Sequence, residues 1–154
     1  MQTPPALAEL LDRHAIEQVL HRYLFAIDER GRDPRAIDLL LSCFTLDATL
    51  SYHNGEVVLN SRDEARDYFE NRRGFARKRI TVHGCTHALG NLVIEFNERG
   101  AQATAHVVVA LSGDVDDQPV LMHRGITYTD QFVRQGEQWL IAEREHAPVW
   151  HHES

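Results

Sequence analysis

The sequence predicts an α+β fold in which three helices in the N-terminal half cover one face of a mostly antiparallel sheet. Apolar residues recur at helical spacing before residue 45, whereas the chain from Ile80 onward is rich in Val, Ile, Thr and aromatic residues. Turn-forming compositions separate these later segments at 97–100, 113–119 and 135–137. Because several of the predicted strands exceed ten residues, we expect a strongly curved sheet.

Three helices follow from the apolar spacing and the capping signals. The first is predicted to end at Gly31 and has the apolar stripe Ile16, Val19, Leu20, Tyr23 and Ile27. The second is predicted to begin with Asp33 as N-cap and Pro34 as first helical residue, and its stripe is Ile37, Leu40, Leu41 and Phe44. A capping-box pattern at 61–64 opens the third, which includes Ala65, Tyr68 and Phe69.

The strands follow from period-two alternation. Ala48, Leu50 and Tyr52 alternate with polar residues, and Asn54-Gly55 predicts a hairpin turn into a strand at 56–59. Four long strands are predicted at 80–96, 101–111, 120–134 and 139–146. The segment 107–111 is apolar at every position, so one of its faces should pack on the core and the other on helices or a second subunit.

Length and composition restrict the class of protein. The 154 residues predict one domain over 1–154, and the 43% hydrophobic and 25% charged fractions are typical of a globular chain. A net charge of −7 argues against nucleic acid as a partner, and no apolar run approaches a membrane span. Two cysteines, Cys43 and Cys85, favour a cytoplasmic setting without disulfides. Ten histidines are many for this length.

Asp28 and two strand histidines are the first candidates for chemistry. Asp28 lies in the last turn of the first helix, where a carboxylate opposes the helix dipole. It is either a surface residue balanced by nearby arginines or a carboxylate that orients a histidine as general base. His87 and His106 lie in successive strands and are either structural or catalytic. His83 and His87 are four apart, about 13 Å along a strand, so we expect no metal site from them.

Three further groups are each open to more than one reading. Arg144 lies in the last strand and is either a charge on an outer strand or an inward group that stabilises a departing anion. Tyr23 and Tyr52 either donate to a substrate oxygen or pack in the core. The basic stretch at 72–79 is a solvated loop, a lid for an anionic substrate or a subunit contact.

The chain resembles SnoaL-like members of the nuclear transport factor 2-like superfamily. The stretches that carry the resemblance are AIEQVLHRYLFAID (15–28), CFTLDAT (43–49), THALGNLVIEF (86–96), GITYTDQF (125–132) and WLIAE (139–143). They cover most of the chain in order. The resemblance implies a cone-shaped α+β barrel, with a curved sheet and three helices that enclose a deep pocket.

Three enzyme types in that superfamily imply site residues. The resemblance to the dehydrochlorinase of hexachlorocyclohexane implies Asp28, His87 and Arg144, and that to bile acid 7α-dehydratase adds Tyr23. The resemblance to scytalone dehydratase implies Asp28, Tyr52, His87 and His106, with the aspartate on the second histidine. Whether Asp28 pairs with His87 or His106 is therefore open at this point.

The resemblance implies a cofactor-independent lyase that acts on a small hydrophobic cyclic or aromatic substrate, as a homodimer or homotrimer. The alternatives are an isomerase or polyketide cyclase with the same base, and a non-catalytic subunit like the β subunits of ring-hydroxylating dioxygenases. Ketosteroid isomerase takes its base from a carboxylate on the first strand. Positions 49–52 hold none here, which argues against that mechanism.

Overall fold

The computed structural model describes residues 4–71 and 80–154 and has three helices and six strands there. The helices are α1 (Pro5–Glu29), α2 (Ala36–Leu41) and α3 (Arg62–Glu70). The strands are β1 (Phe44–Tyr52), β2 (Val57–Leu59), β3 (Ile80–Asn97), β4 (Gly100–Val115), β5 (Gln118–Gln135) and β6 (Gln138–Glu153). The predicted basic stretch at 72–79 lies outside the described residues.

The six strands form one curved sheet in the order β2-β1-β6-β5-β4-β3. All neighbouring pairs are antiparallel except β1 and β6, which run parallel. The predicted α+β class is confirmed, and so is the mostly antiparallel sheet. The sheet is not closed into a barrel among the described residues, because β2 and β3 are its two outermost strands.

The helices supply the predicted apolar stripes to a core on the inner face of the sheet. The buried residues of α1 are Ile16, Val19, Leu20, Tyr23, Leu24, Ala26 and Ile27. They pack with inward residues of the long strands, among them Ala105, Val107, Ile126, Phe132 and Ile141. This packing fixes the C-terminal end of α1 against β3.

The predicted start of the second helix was wrong by two residues. α2 begins at Ala36 with Arg35 as N-cap, and Asp33 lies before it in a turn. The Asp33 carboxylate accepts hydrogen bonds from the Arg35 backbone N–H and guanidinium, so it caps the turn before the helix rather than α2 itself. The first helix ends at Glu29 rather than Gly31, and Phe44 belongs to β1.

The predicted hairpin and third helix are confirmed. His53, Asn54 and Gly55 have positive φ values of 55°, 56° and 86° in the turn between β1 and β2. At α3 the Ser61 hydroxyl accepts the Glu64 N–H at 3.1 Å, as the capping box predicts.

The predicted turn at 113–119 was too long. The turn comprises Asp116 and Asp117, which have positive φ values of 50° and 62°, and both strands continue through the rest of the interval. A Cβ at Gly113 would lie 2.4 Å from the Thr81 carbonyl oxygen, so this glycine permits a close approach of two strands rather than a turn. β6 also continues past His146 to Glu153, because its pairing with β5 extends that far.

The two faces of β4 differ in environment although both are apolar. Val107, Val109 and Leu111 are buried on the inner face, whereas Val108 on the outer face is 46% exposed. Covering of that outer face by a second subunit stays a prediction. No helix in the two described ranges is both long and apolar enough to span a membrane.

Candidate active site

Asp28 and His87 are brought together where the last turn of α1 meets β3. The Asp28 Oδ1 atom lies 2.6 Å from His87 Nδ1, and Oδ2 accepts the His87 backbone N–H at 2.9 Å. The two side chains are only 14% and 6% exposed. Two donors from one residue therefore hold this carboxylate, which offsets its unfavourable position at a helix C-terminus.

This contact determines which nitrogen of His87 can react. A carboxylate accepts, so Nδ1 carries the hydrogen between the two side chains and the neutral ring has its lone pair on Nε2. Among the described residues nothing hydrogen-bonds to Nε2, and the ring lines a pocket. The geometry is that of an oriented general base.

Cys85 lies beside the pair on the same strand. Its Sγ is 3.7 Å from His87 Nδ1, and the potential ligand atoms of Asp28, Cys85 and His87 all lie within 4.8 Å of one another. Burial, with the Asp28 charge adding to it, raises the pKa of the Cys85 thiol to about 12. A divalent cation at this cluster would have to displace both the thiol proton and the proton on Nδ1.

The pocket beside His87 is partly open to solvent and lies between the inner face of the sheet and α1 and α3; its empty volume is about 570 Å³ when the solvent space at its mouth is included. Rings and aliphatic side chains form most of its wall: Ile27, Tyr52, Tyr68, Phe69, Val109, Leu111, Met122, Ile126 and Tyr128. The polar lining residues are Arg30, His53, His87, Arg124 and His146. Asp28 lies behind His87 and lines a neighbouring cavity instead.

The two predicted tyrosines lie together but only one reaches the pocket. The Tyr23 and Tyr52 hydroxyls are 2.9 Å apart, and either can donate. Tyr52 lines the pocket, whereas Tyr23 is fully buried beneath it. Burial raises the pKa of Tyr52 well above its ordinary value, so its hydroxyl keeps its proton and can donate.

Arg144 lies inward, as one reading of the sequence had it, but outside the pocket lining. Its Nε and Nη2 atoms each lie 2.7 Å from an oxygen of Asp130, and both side chains are almost completely buried. The guanidinium carbon is 4.0 Å from the Tyr23 ring centre and 4.2 Å from that of Tyr128. This arrangement holds Arg144 in a buried ion pair beneath the site, which does not support a direct role at the leaving group.

His106 is on the wrong face of the sheet for the site. His87 pairs with Val109 across β3 and β4, so these two side chains lie on the same face of the sheet. His106 lies three positions before Val109 on β4, and an odd spacing puts two side chains of a strand on opposite faces. Side chains alternate along a strand, so His106 points to the outer face, where it is exposed. Asp28 contacts His87, and the expectation that His106 belongs to the site is corrected.

His146 is a pocket histidine that the sequence analysis did not identify as a site residue. Its Nδ1 accepts the His53 backbone N–H at 3.1 Å, so its proton is on Nε2. Its ring contacts those of Tyr52 and Tyr128. Burial lowers the pKa of His146 to about 3, and the nearby His53 and Arg144 lower it as well.

His146 should make the fold less stable in acid. The unfolded chain binds a proton at this position below about pH 6.5, whereas the folded chain resists it until about pH 3. The free energy of unfolding should therefore fall with decreasing pH in this window, by up to about 1.4 kcal/mol per pH unit. In urea titrations between pH 7 and 4, the free energy of unfolding of His146→Gln should depend less on pH than that of the wild type. The control His106→Gln should keep the wild-type pH dependence. An unchanged slope in His146→Gln would contradict this assignment.

Two pocket arginines were missed as site residues. Arg30 is one of the arginines near Asp28 in the sequence; it lines the pocket, and its guanidinium carbon is 5.9 Å from the Phe69 ring centre. Arg124 lies in β5 at the same inward parity as Ile126 and Tyr128. That parity was the one sequence signal that could have identified it.

The protein thus combines a curved sheet with an apolar cavity that contains an imidazole–carboxylate pair. This combination defines the class of protein to which it is compared. The family model described as SnoaL-like domain matches residues 8–145. The chain therefore belongs to the SnoaL-like family. A search of curated protein sequences found no significant match.

Solved structures agree with this assignment at the level of the fold. Hexachlorocyclohexane dehydrochlorinase LinA-type3 from Novosphingobium barchaimii is 19% identical, with 97% of this chain and 94% of that chain covered and a TM-score of 0.74. Two proteins of Novosphingobium aromaticivorans both have TM-scores of 0.70. One, named "Putative Scytalone Dehydratase", is 21% identical over 94% of this chain and 88% of that chain. The other, named "putative aromatic ring hydroxylase", is 22% identical over 99% and 95%.

Proposed function

We propose that this protein is a cofactor-independent lyase in which His87, oriented by Asp28, is the general base. The observation that carries the proposal is the 2.6 Å contact between Asp28 Oδ1 and His87 Nδ1, with Nε2 left for the pocket. Neighbouring structures named as a dehydrochlorinase and a dehydratase support elimination as the reaction class.

The proposed elimination uses groups that line the pocket. His87 Nε2 takes a proton from a substrate carbon, the C–H electron pair becomes the new double bond, and the leaving group departs with its own bonding pair as halide or water. A departing hydroxide leaves as water when protonated His87 returns to it the proton removed from carbon. Tyr52, when it accepts from Tyr23, and His146, with its proton on Nε2, can donate hydrogen bonds to the departing oxygen. The apolar wall excludes water and favours a cyclic or aromatic substrate.

An isomerase or cyclase would use the same base without a leaving group. A panel of a chlorinated cyclohexane, a β-hydroxycyclohexanone and 5-nitrobenzisoxazole in D₂O should separate the reactions. A lyase lowers the substrate mass by HCl or H₂O in the first two, and the base opens the ring of the third. Retention of the leaving group, with the mass raised only by deuterium incorporated at carbon, would instead indicate an isomerase or cyclase. Failure to open the ring of 5-nitrobenzisoxazole would contradict a general base in this pocket.

The non-catalytic alternative predicts a filled pocket or a stable partner, and it would gain if Asp28 and His87 lay beyond hydrogen-bond reach. Asp28 Oδ1 and His87 Nδ1 are instead 2.6 Å apart beside a pocket, which supports the enzyme proposal over a binding subunit. Assembly into a homodimer or homotrimer remains part of the proposal, because the apolar outer face of β4 is exposed in the single chain.

A further inference from the structure

The pocket wall has a charge pattern opposite to that of the whole chain. The chain has 23 acidic and 16 basic residues, yet the described pocket lining contains two arginines and no aspartate or glutamate. Because the pKa of His146 is lowered to about 3, that histidine adds no charge at neutral pH. Arg30 and Arg124 thus give the cavity a positive field, with the Asp28 carboxylate screened behind His87.

Arg124 is held on the face of the sheet that carries the base. His87 pairs with Val109, and Val109 pairs with Arg124 on the next strand, so the three residues form one row across the sheet. Neighbouring strands are about 4.8 Å apart, which puts the backbones of His87 and Arg124 at about 10 Å. Among the described residues no carboxylate forms an ion pair with Arg124. A six-membered ring with a substituent spans that distance.

Arg30 approaches the same cavity from the end of α1. It is two residues after Asp28, and it packs on the Phe69 ring at the opposite wall. Burial lowers the pKa of Arg30 from its ordinary value, which indicates a guanidinium short of water. A partly desolvated cation gains more from a ligand anion than a solvated one, and a planar guanidinium matches a carboxylate in two-point geometry.

We propose that the substrate of this pocket is a cyclic organic monoanion, an aromatic or alicyclic carboxylate. Arg30 and Arg124 hold its carboxylate, its ring lies against the wall formed by Tyr52, Tyr68, Phe69 and Tyr128, and His87 faces the carbon to be deprotonated. The inference rests on the proposed function, since it names the substrate class of the same site. The carboxylate of the substrate is negative before the reaction begins, and its role is to hold the substrate in the pocket.

Matched pairs of acids and amides test the anchor without any turnover. Benzoate with benzamide, and 1-naphthoate with 1-naphthamide, differ in charge but hardly in shape. By calorimetry at pH 7, at least one acid should bind ten times or more tightly than its amide, and added salt should weaken only the acid. Equal affinities within each pair, or no binding of either acid, would overturn the proposal. This comparison uses the wild-type chain and does not depend on a variant folding.

Variants then locate the charge. Arg124→Gln and Arg30→Gln should each lower acid affinity about tenfold or more and leave amide affinity unchanged, whereas Arg124→Lys should keep part of it. Arg66→Gln on α3, outside the pocket lining, is the matched control. Acid affinity that survives both glutamine variants would overturn the assignment.

The two proposals fail independently. His87→Ala should abolish turnover but retain acid binding, because the base is not part of the anchor. Loss of turnover with intact discrimination between acid and amide supports both proposals. Turnover of neutral substrates with no discrimination would retain the lyase and overturn the anionic substrate.

Discussion

Replacing His87 with alanine is expected to lower kcat/KM by a factor of roughly 10²–10⁴, the range typical of a lost general base. Nε2 is the nitrogen whose lone pair is left for the pocket, and Asp28 holds the ring from its other side. Initial rates on whichever panel substrate is turned over, with 5-nitrobenzisoxazole as the general-base probe, measure the effect.

The matched control is His106→Ala, which removes the same side chain from the neighbouring strand on the outer face. It should retain wild-type rates. Asp28→Asn should lose part of the activity, because an amide no longer fixes the tautomer of His87. Urea unfolding of all three variants separates lost chemistry from lost folding. Near-normal turnover by a folded His87→Ala protein would refute the proposed base.

Removing either partner of the Arg144–Asp130 pair should lower the free energy of unfolding by about 3–5 kcal/mol. Each of the two Asp130 oxygens lies 2.7 Å from an Arg144 nitrogen in a dry environment, so one deletion leaves a buried charge uncompensated. Asp130→Leu and Arg144→Leu should therefore each be costly. The double leucine variant should recover much of the loss, because it leaves no charge behind.

The control for this pair is Arg66 with Asp38, which has the same 2.7 Å contact but side chains 43% and 73% exposed. Arg66→Ala should change stability by less than about 1 kcal/mol. Urea titrations monitored by far-UV circular dichroism give all the values. An Arg144→Leu protein as stable as wild type would show that the pair is not a structural element, and would return Arg144 to consideration at the site.

The sequence predicted the fold class and the residues that meet at the centre of the candidate site. Helical stripes and strand alternation suffice for the α+β class because burial enforces both periods. Asp28 was a candidate because a carboxylate at a helix C-terminus is unfavourable unless something holds it there, and the resemblance to SnoaL-like enzymes implied its pairing with a strand histidine. Which of His87 and His106 it holds depends on strand parity. The sequence could not decide this, since residues 107–111 are apolar on both faces.

The missed residues share a physical reason. Arg30 and Arg124 are charged residues, which usually lie on the surface. Only the three-dimensional fold shows that their side chains line a cavity. The partner of Arg144 was also missed, although Asp130 lies at the inward parity of Tyr128 and Phe132. A charge at an apolar parity requires a buried partner of opposite charge. That rule predicts the pairing of Arg144 with Asp130 once β5 and β6 are known to be adjacent.

The bond from Asp28 Oδ2 to the His87 backbone has a meaning apart from catalysis. Among the described residues β3 is the last strand of the sheet, so backbone N–H groups on its outer side could pair with a strand of another molecule. Asp28 occupies one of them midway along the strand and brings the end of α1 against it. The carboxylate that contacts the His87 ring thus also lowers the number of N–H groups that this edge offers to another strand.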